Sequence, residues 1–142
     1  MKTFTFKNWM FLCLGIMVVG LGACSKETVD NMGRDTALNI IRTGTWESWT
    51  KTVAGSSNPD LNVTVQILEE GETLNFDKDG AWHKKNDGTA QSHTYHMPTS
   101  KSMVFDGVEY QIKESIVGGV STLTLTHIAG AVTTTMVFKR KR

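Results

Sequence analysis

Four histidines, a cluster of carboxylates and two cysteines are the side chains of this 142-residue chain best suited to bind or react. His93 and His96 stand three apart, and on a strand that spacing points them to opposite faces. If Asp87-Gly88 forms a two-residue turn, Trp82 falls opposite His93 and His83 opposite Ser92, so no two histidines meet and no metal site is expected. His93, beside Trp82 and Tyr95, reads instead as a polar group at a cavity rim. Asp77-Lys78-Asp79-Gly80 begins like a calcium loop but lacks the third carboxylate and the distant glutamate, which leaves a tight turn. Glu69, Glu70 and Glu72 surround a turn and read as a solvated loop. Gly55-Ser56-Ser57 lies among turn formers without a nucleophile-elbow pattern. No glycine-rich loop is placed to cradle phosphate, and nothing assembles an acid, a base and an oxyanion site. The expectation is a protein that is not an enzyme and uses no cofactor.

The elements that must position these residues are mostly strands. From Gly44 onward, runs rich in Val, Thr, Ile and aromatics recur about every ten residues, the spacing of a sandwich or barrel. Asp79-Gly80, Asp87-Gly88, Asp106-Gly107, Gly118-Gly119 and Ala129-Gly130 separate them, and glycine suits such turns because it accepts positive φ. Val108, Tyr110 and Ile112 share one face, Leu123 and Leu125 another, and Val132, Met136 and Phe138 a third, each against polar neighbours. One wet face and one core face per strand fit an antiparallel sheet closed on itself or packed once. Earlier strands are expected at 45–53, 61–68, 72–76, 80–86, 90–97 and 101–105, giving eight or nine in all. Residues 61–76 read as two strands or as one bent around Glu70-Gly71. Pro59 and Pro98 fall between strands, where a missing N–H breaks no ladder. Ahead of the strands, Asp35 is placed to cap a short helix whose apolar side is Ala37, Leu38, Ile40 and Ile41.

The amino-terminus carries a second kind of signal. Lys2 and Lys7 precede an apolar run from Trp9 to Leu21, and Gly22-Ala23 supplies small residues directly before Cys24. This run resembles the lipobox of bacterial lipoproteins, which implies removal of residues 1–23 and lipidation of Cys24 on its thiol and amine. The uncharged stretch 8–25 is 18 residues long and holds three glycines, short of the roughly 20 apolar residues of a retained transmembrane helix. With Cys13 discarded and Cys24 acylated, the remaining 119 residues contain no disulfide, thiolate nucleophile or Cys-ligated zinc. More than one acyl chain gives firm membrane attachment, where a single chain binds reversibly. Ser25 lacks the acidic character of inner-membrane retention, so the expected address is the outer membrane. Lys26-Glu27 partly resembles the surface-export signal of Bacteroidota lipoproteins, although Thr28 stands where a second acid is usual, and the periplasmic and surface faces both stay open. Asp35-Thr36-Ala37 also resembles the Bacteroidota O-glycosylation acceptor, which would modify Thr36, with helix capping the preferred reading.

Removing Lys2 and Lys7 leaves 13 basic against 14 acidic residues, and no basic stripe interleaves with aromatics, so nucleic acid is not an expected partner. The cluster Lys139-Arg140-Lys141-Arg142 reads as a solvated strand end, with anionic headgroups as the alternative contact.

Gly44-Thr45-Trp46 after a short helix, a full set of hairpins, and a last strand ending Phe138-Lys139-Arg140 together resemble the lipocalin-like domain of Bacteroidota lipoproteins. The resemblance covers 44–142 and implies an all-β fold: a small antiparallel up-and-down barrel preceded by an N-terminal helix. Residues 24–43 then form the lipidated lead and the short helix. The resemblance also implies that Trp46 packs across the closed end with Arg140 over it, a cation–π pair. The triple-arginine region and disulfides of lipocalins are absent, and 99 residues make a squat barrel. An eight-stranded barrel either fills with side chains or holds one small ligand. Trp46, Phe76, Trp82, Phe105, Tyr110 and Phe138 are the large residues expected to point inward. Two functions follow. One is a membrane-tethered module binding a small apolar or amphipathic molecule at the open end, with Trp82, His93, Tyr95 and Tyr110 as its wall. The other is a solid barrel whose outer face or loops contact or inhibit another envelope protein.

Overall fold

The computed structural model of the protein describes residues 26–116 and 118–140. The expected signal peptide and Cys24 lie outside the described residues.

Helix α1 (Lys26–Arg42) is followed by ten strands: β1 (Trp46–Ala54), β2 (Thr64–Gln66), β3 (Thr73–Asp77), β4 (Gly80–Lys84), β5 (Ala90–His93), β6 (Tyr95–Thr99), β7 (Ser102–Phe105), β8 (Val108–Ile112), β9 (Thr122–Ala129) and β10 (Val132–Arg140). They form one antiparallel sheet in the order β5-β4-β3-β1-β10-β9-β8-β7-β6, with β2 added beside β1. First and last strands lie together, Trp49 opposite Phe138 and Ala54 opposite Thr133. This is the up-and-down antiparallel, barrel-like arrangement expected behind an N-terminal helix, with ten strands where eight or nine were expected and with the hydrogen-bonded sheet not closed between β5 and β6.

Local readings differ at the helix, at residues 90–97, at Trp82 and at Pro98, which sits inside β6 at an irregularity between His96 and Thr99 and not between strands, while the alternative left open for residues 61–76 is decided. The helix runs 17 residues and takes up nearly all of the lead; Asp35 sits inside it, exposed and paired to Arg34 at 3.1 Å, and does not cap it. Its last two turns carry the apolar stripe, and they meet the barrel through Ala37 and Ile41. Residues 61–76 hold two strands, with a short 3-10 helix at Pro59–Leu61 before them. Residues 90–97 do not form one strand. The sheet's two edges, β5 and β6, are consecutive in the chain and joined by Thr94 alone, so the chain itself carries the sheet from one edge to the other. Trp82 points outward and is 39% exposed, paired with Asn75 and Ser92 on the wet face.

An irregularity between Trp46 and Ser48 admits one extra residue into β1. Such a bulge resets the alternation, so Trp46 and Trp49, three apart, are both buried. The interior is an aromatic stack. Phe138 lies 5.2 Å from Trp49, 5.8 Å from Phe76 and 6.4 Å from Trp46, and Phe105 lies 5.5 Å from Trp49. Leu74, Met103, Leu123 and Leu125 fill the rest.

At the closed end α1 packs on β6 and β3. The Arg140 guanidinium carbon sits 4.5 Å from the Trp46 ring centre. Trp46 Nε1 donates to the Ile41 carbonyl at 3.1 Å, and Arg140 Nη2 donates to the carbonyls of Ile40 and Ile41. The last carbonyls of a helix have no partner within it, and here the barrel's first and last strands supply donors for two of them. Arg42 Nε donates to the Tyr95 hydroxyl at 2.7 Å, which in turn donates to the Asp77 carbonyl at 2.5 Å.

Candidate functional site

The opposite end is open, and its geometry follows from one turn. Lys85 N–H bonds the Thr89 carbonyl, and Gly88 takes φ +85°, so the β4–β5 loop is the three residues Asn86-Asp87-Gly88. Three-residue hairpins place glycine in this left-handed position. Asp87 stabilises the loop by accepting from Thr89 N–H at 2.8 Å and its hydroxyl at 2.6 Å, and these bonds lower the Asp87 pKa. The two-residue turn expected from the sequence would pair Trp82 with His93. The actual register pairs Ala81 with His93 and His83 with Gln91. A one-residue slip decides which side chains share a face. His83 and His93 thus both turn inward onto the Trp49 ring, at 6.5 and 5.1 Å between ring centres.

Above Trp49 lies a cavity of about 290 Å³ lined by Ile67, Glu69, Glu72, His83, Lys85, Gln91 and His93. Glu72, expected in a solvated loop, is buried with its Oε2 2.7 Å from His83 Nε2. It also accepts from the backbone N–H groups of Glu69 at 3.2 Å and Asn86 at 3.3 Å. The bond to His83, more than the backbone donors, lowers the Glu72 pKa against the opposing effect of burial. With Nε2 donating to this carboxylate, neutral His83 keeps Nδ1 as an acceptor.

His93 is held from the other side. Its Nδ1 lies 2.7 Å from Asp106 Oδ2, while Asp106 Oδ1 accepts from Thr94 N–H at 2.9 Å. A carboxylate at Nδ1 places the proton there, leaving Nε2 as an acceptor in the neutral ring. Among the described residues, that Nε2 and the Trp49 Nε1 donor are both buried without a hydrogen-bond partner.

The other half of the mouth is apolar. Beyond Trp49, the inner face of β1 continues through Lys51 and Val53, and β2 sets Val65 opposite Lys51. Val63, paired to Val53 N–H through its carbonyl, extends that face. Across the opening β10 and β9 contribute Val132 and Thr134 with their partners Ala129 and His127, and β8 contributes Val108 and Tyr110. Val63, Val65 and Val108 are 45%, 47% and 37% exposed although they face the barrel axis.

Of the side chains expected to form a wall, His93 lines this cavity. Tyr110 is buried on the same inner face but beside His127, with ring centres 5.7 Å apart, and burial raises its pKa. Tyr95 belongs to the closed end, on Phe76 at 5.0 Å, its pKa raised by burial against the lowering effect of Arg42. Trp82 lies on the outer surface. Thr36 is exposed on α1 and donates to the Met32 carbonyl at 2.8 Å. Trp46 and Arg140 meet at the closed end. Trp49 and Lys51 were not singled out in the sequence, where Glu72 read as solvated loop and His83 as lying opposite Ser92. The signal that could have found His83 is Asp87-Gly88-Thr89, in which aspartate can bond two residues on. Among the described residues no three His, Cys, Asp or Glu side chains converge to hold a metal ion. No protein-family model matches this chain, and neither does any curated protein or solved structure.

Proposed function

We propose that the chain is a membrane-anchored, lipocalin-like binding protein, lipidated at Cys24 and displayed from the outer membrane, that holds a small amphipathic molecule in the barrel mouth without chemical turnover. The observation that carries this reading is the division of the mouth. One half is polar and fixed by Glu72 and Asp106 through the two histidines, and the other is an exposed valine surface, both above the Trp49 floor. Ligand sites combine apolar walls with a few placed polar groups, in volumes from about 300 Å³ upward. The cavity here, about 290 Å³, suits a small occupant, while the aromatic stack beneath leaves no deep calyx. Native mass spectrometry of the chain extracted from its own membrane should show a bound species below about 500 Da that is lost on unfolding. A spectrum carrying only the protein and its lipid would sink this reading.

The packed interior also favours the second reading, an interaction or inhibitor module. In-cell crosslinking from Val63 or Val65 would then capture a defined envelope protein and native spectra would show no small ligand.

A further inference from the structure

The valine surface contains one charged residue. On the inner faces of β1, β2, β8, β9 and β10, from Trp49 toward the mouth, the residues are Lys51 and Val53, Val65, Val108 and Tyr110, Leu125, His127 and Ala129, and Val132, Thr134 and Met136. Lys51 is the only one of these with a permanent charge at neutral pH, and it is exposed. Its cross-strand neighbours are Val65 and Met136, both apolar. No ion pair or side-chain hydrogen bond of Lys51 occurs among the described residues. A lysine in such a place lays its methylenes along apolar surface and keeps the ammonium free at the edge.

We propose that this surface binds a short-chain anionic amphiphile, with its tail on Val53, Val63, Val65 and Val132 and its anionic headgroup on the Lys51 ammonium. The inference rests on the binding reading above and adds the sign of the headgroup and the residue that selects it. An anionic headgroup is favoured because a cationic one would be repelled by Lys51 and an uncharged one would gain no charge-assisted bond from it. A bond between ammonium and carboxylate is stronger than one between neutral groups. In the polar half Glu72 is paired by His83 and His93 by Asp106, while its other charged residues, Glu69 and Lys85, line a cavity that none of these valines lines. Lys51 therefore offers the free charge on the apolar side.

The test is calorimetric titration of the full chain in lipid nanodiscs with octanoate, 1-octanol and octylammonium, with empty nanodiscs as reference. Octanoate should bind about five- to tenfold tighter than octanol, the ratio expected of one charged hydrogen bond in partial contact with water. Octylammonium should bind weakest. Lys51→Met should bring octanoate down to the octanol value while leaving octanol unchanged, and Lys51→Arg should restore the preference. Equal affinity for octanoate and octanol, or an octanoate affinity insensitive to Lys51→Met, overturns the assignment of Lys51 but leaves the binding reading standing. Failure of all three to bind overturns both. Self-association through Val63 and Val65 that octanoate does not disperse would assign the surface to a second copy of the chain and overturn the proposal.

Discussion

Glu72 and His83 show how a single carboxylate can organise a mouth. Glu72 ties its own turn through Glu69 N–H, the β4–β5 loop through Asn86 N–H, and the inner face of β4 through His83. Removing its charge weakens the acceptor that two backbone donors and an imidazole share. Because the folded-state pKa of Glu72 lies below the ordinary 4.5, its stabilisation is fully present above that value and is lost as pH falls through the lowered one. Glu72→Gln should therefore melt below the parent protein at pH 7, and the gap should narrow on acidification toward pH 3. A gap that is constant or widens toward acid would contradict this assignment. At this scale the sequence was partly legible. Trp46 and Arg140 could be singled out through the resemblance carried by Gly44-Thr45-Trp46 and Phe138-Lys139-Arg140, and His93 through the aromatics beside it. Glu72 looked like loop because nothing local distinguishes a buried carboxylate from a solvated one when its partner lies eleven residues away.

At the scale of elements, the barrel depends on how its two sheet edges are joined. β5 pairs only with β4 and β6 only with β7, and Thr94 is the single residue between them. Asp106 fastens this joint. Its backbone N–H donates to the Thr94 carbonyl at 2.9 Å, its Oδ1 accepts from Thr94 N–H, and its Oδ2 meets His93 Nδ1. It does so at φ +47°, the one described non-glycine residue at positive φ. Aspartate tolerates that region better than most residues, and these three contacts hold it there. Asp106→Ala should destabilise the fold by about 1 kcal/mol, because of the groups it leaves unpaired only His93 Nδ1 is buried while Thr94 is exposed. Asp106→Asn, which retains an acceptor for Thr94 N–H, should cost less. Urea unfolding measures both, and equal midpoints for Asp106→Ala and the parent would remove Asp106 from this role. Alternation and Asp-Gly pairs made most strands legible in the sequence. Joint and register were not legible, since Asp87-Gly88 fits a two- or a three-residue loop and only the longer one brings His83 and His93 together.

At the scale of the whole molecule, the helix fixes which end can face a membrane. Nearly all of the lead of about twenty residues before Gly44 is helix, since α1 begins at Lys26 and is docked on the closed end by Ala37, Ile41, Trp46 and Arg140. Only one residue separates Lys26 from Cys24, and two residues of extended chain reach about 7 Å at most. With Cys24 lipidated as proposed, the closed end is the end tied to the bilayer, at no more than about the 25 Å length of the 17-residue α1 plus this link. The mouth then projects away from it by the length of the nine-residue β10, about 30 Å at the usual strand rise. A ligand would thus enter from the aqueous side rather than from the lipid. In a Cys13→Ser background with native lipid at Cys24, single fluorophores at Ser121→Cys near the closed end and Gly130→Cys at the β9–β10 tip distinguish the two orientations. Nitroxide-labelled lipid should quench the Ser121 position strongly and the Gly130 position little. Stronger quenching at Gly130 would mean that the mouth faces the bilayer, and that the valine surface takes its amphiphile directly from the membrane.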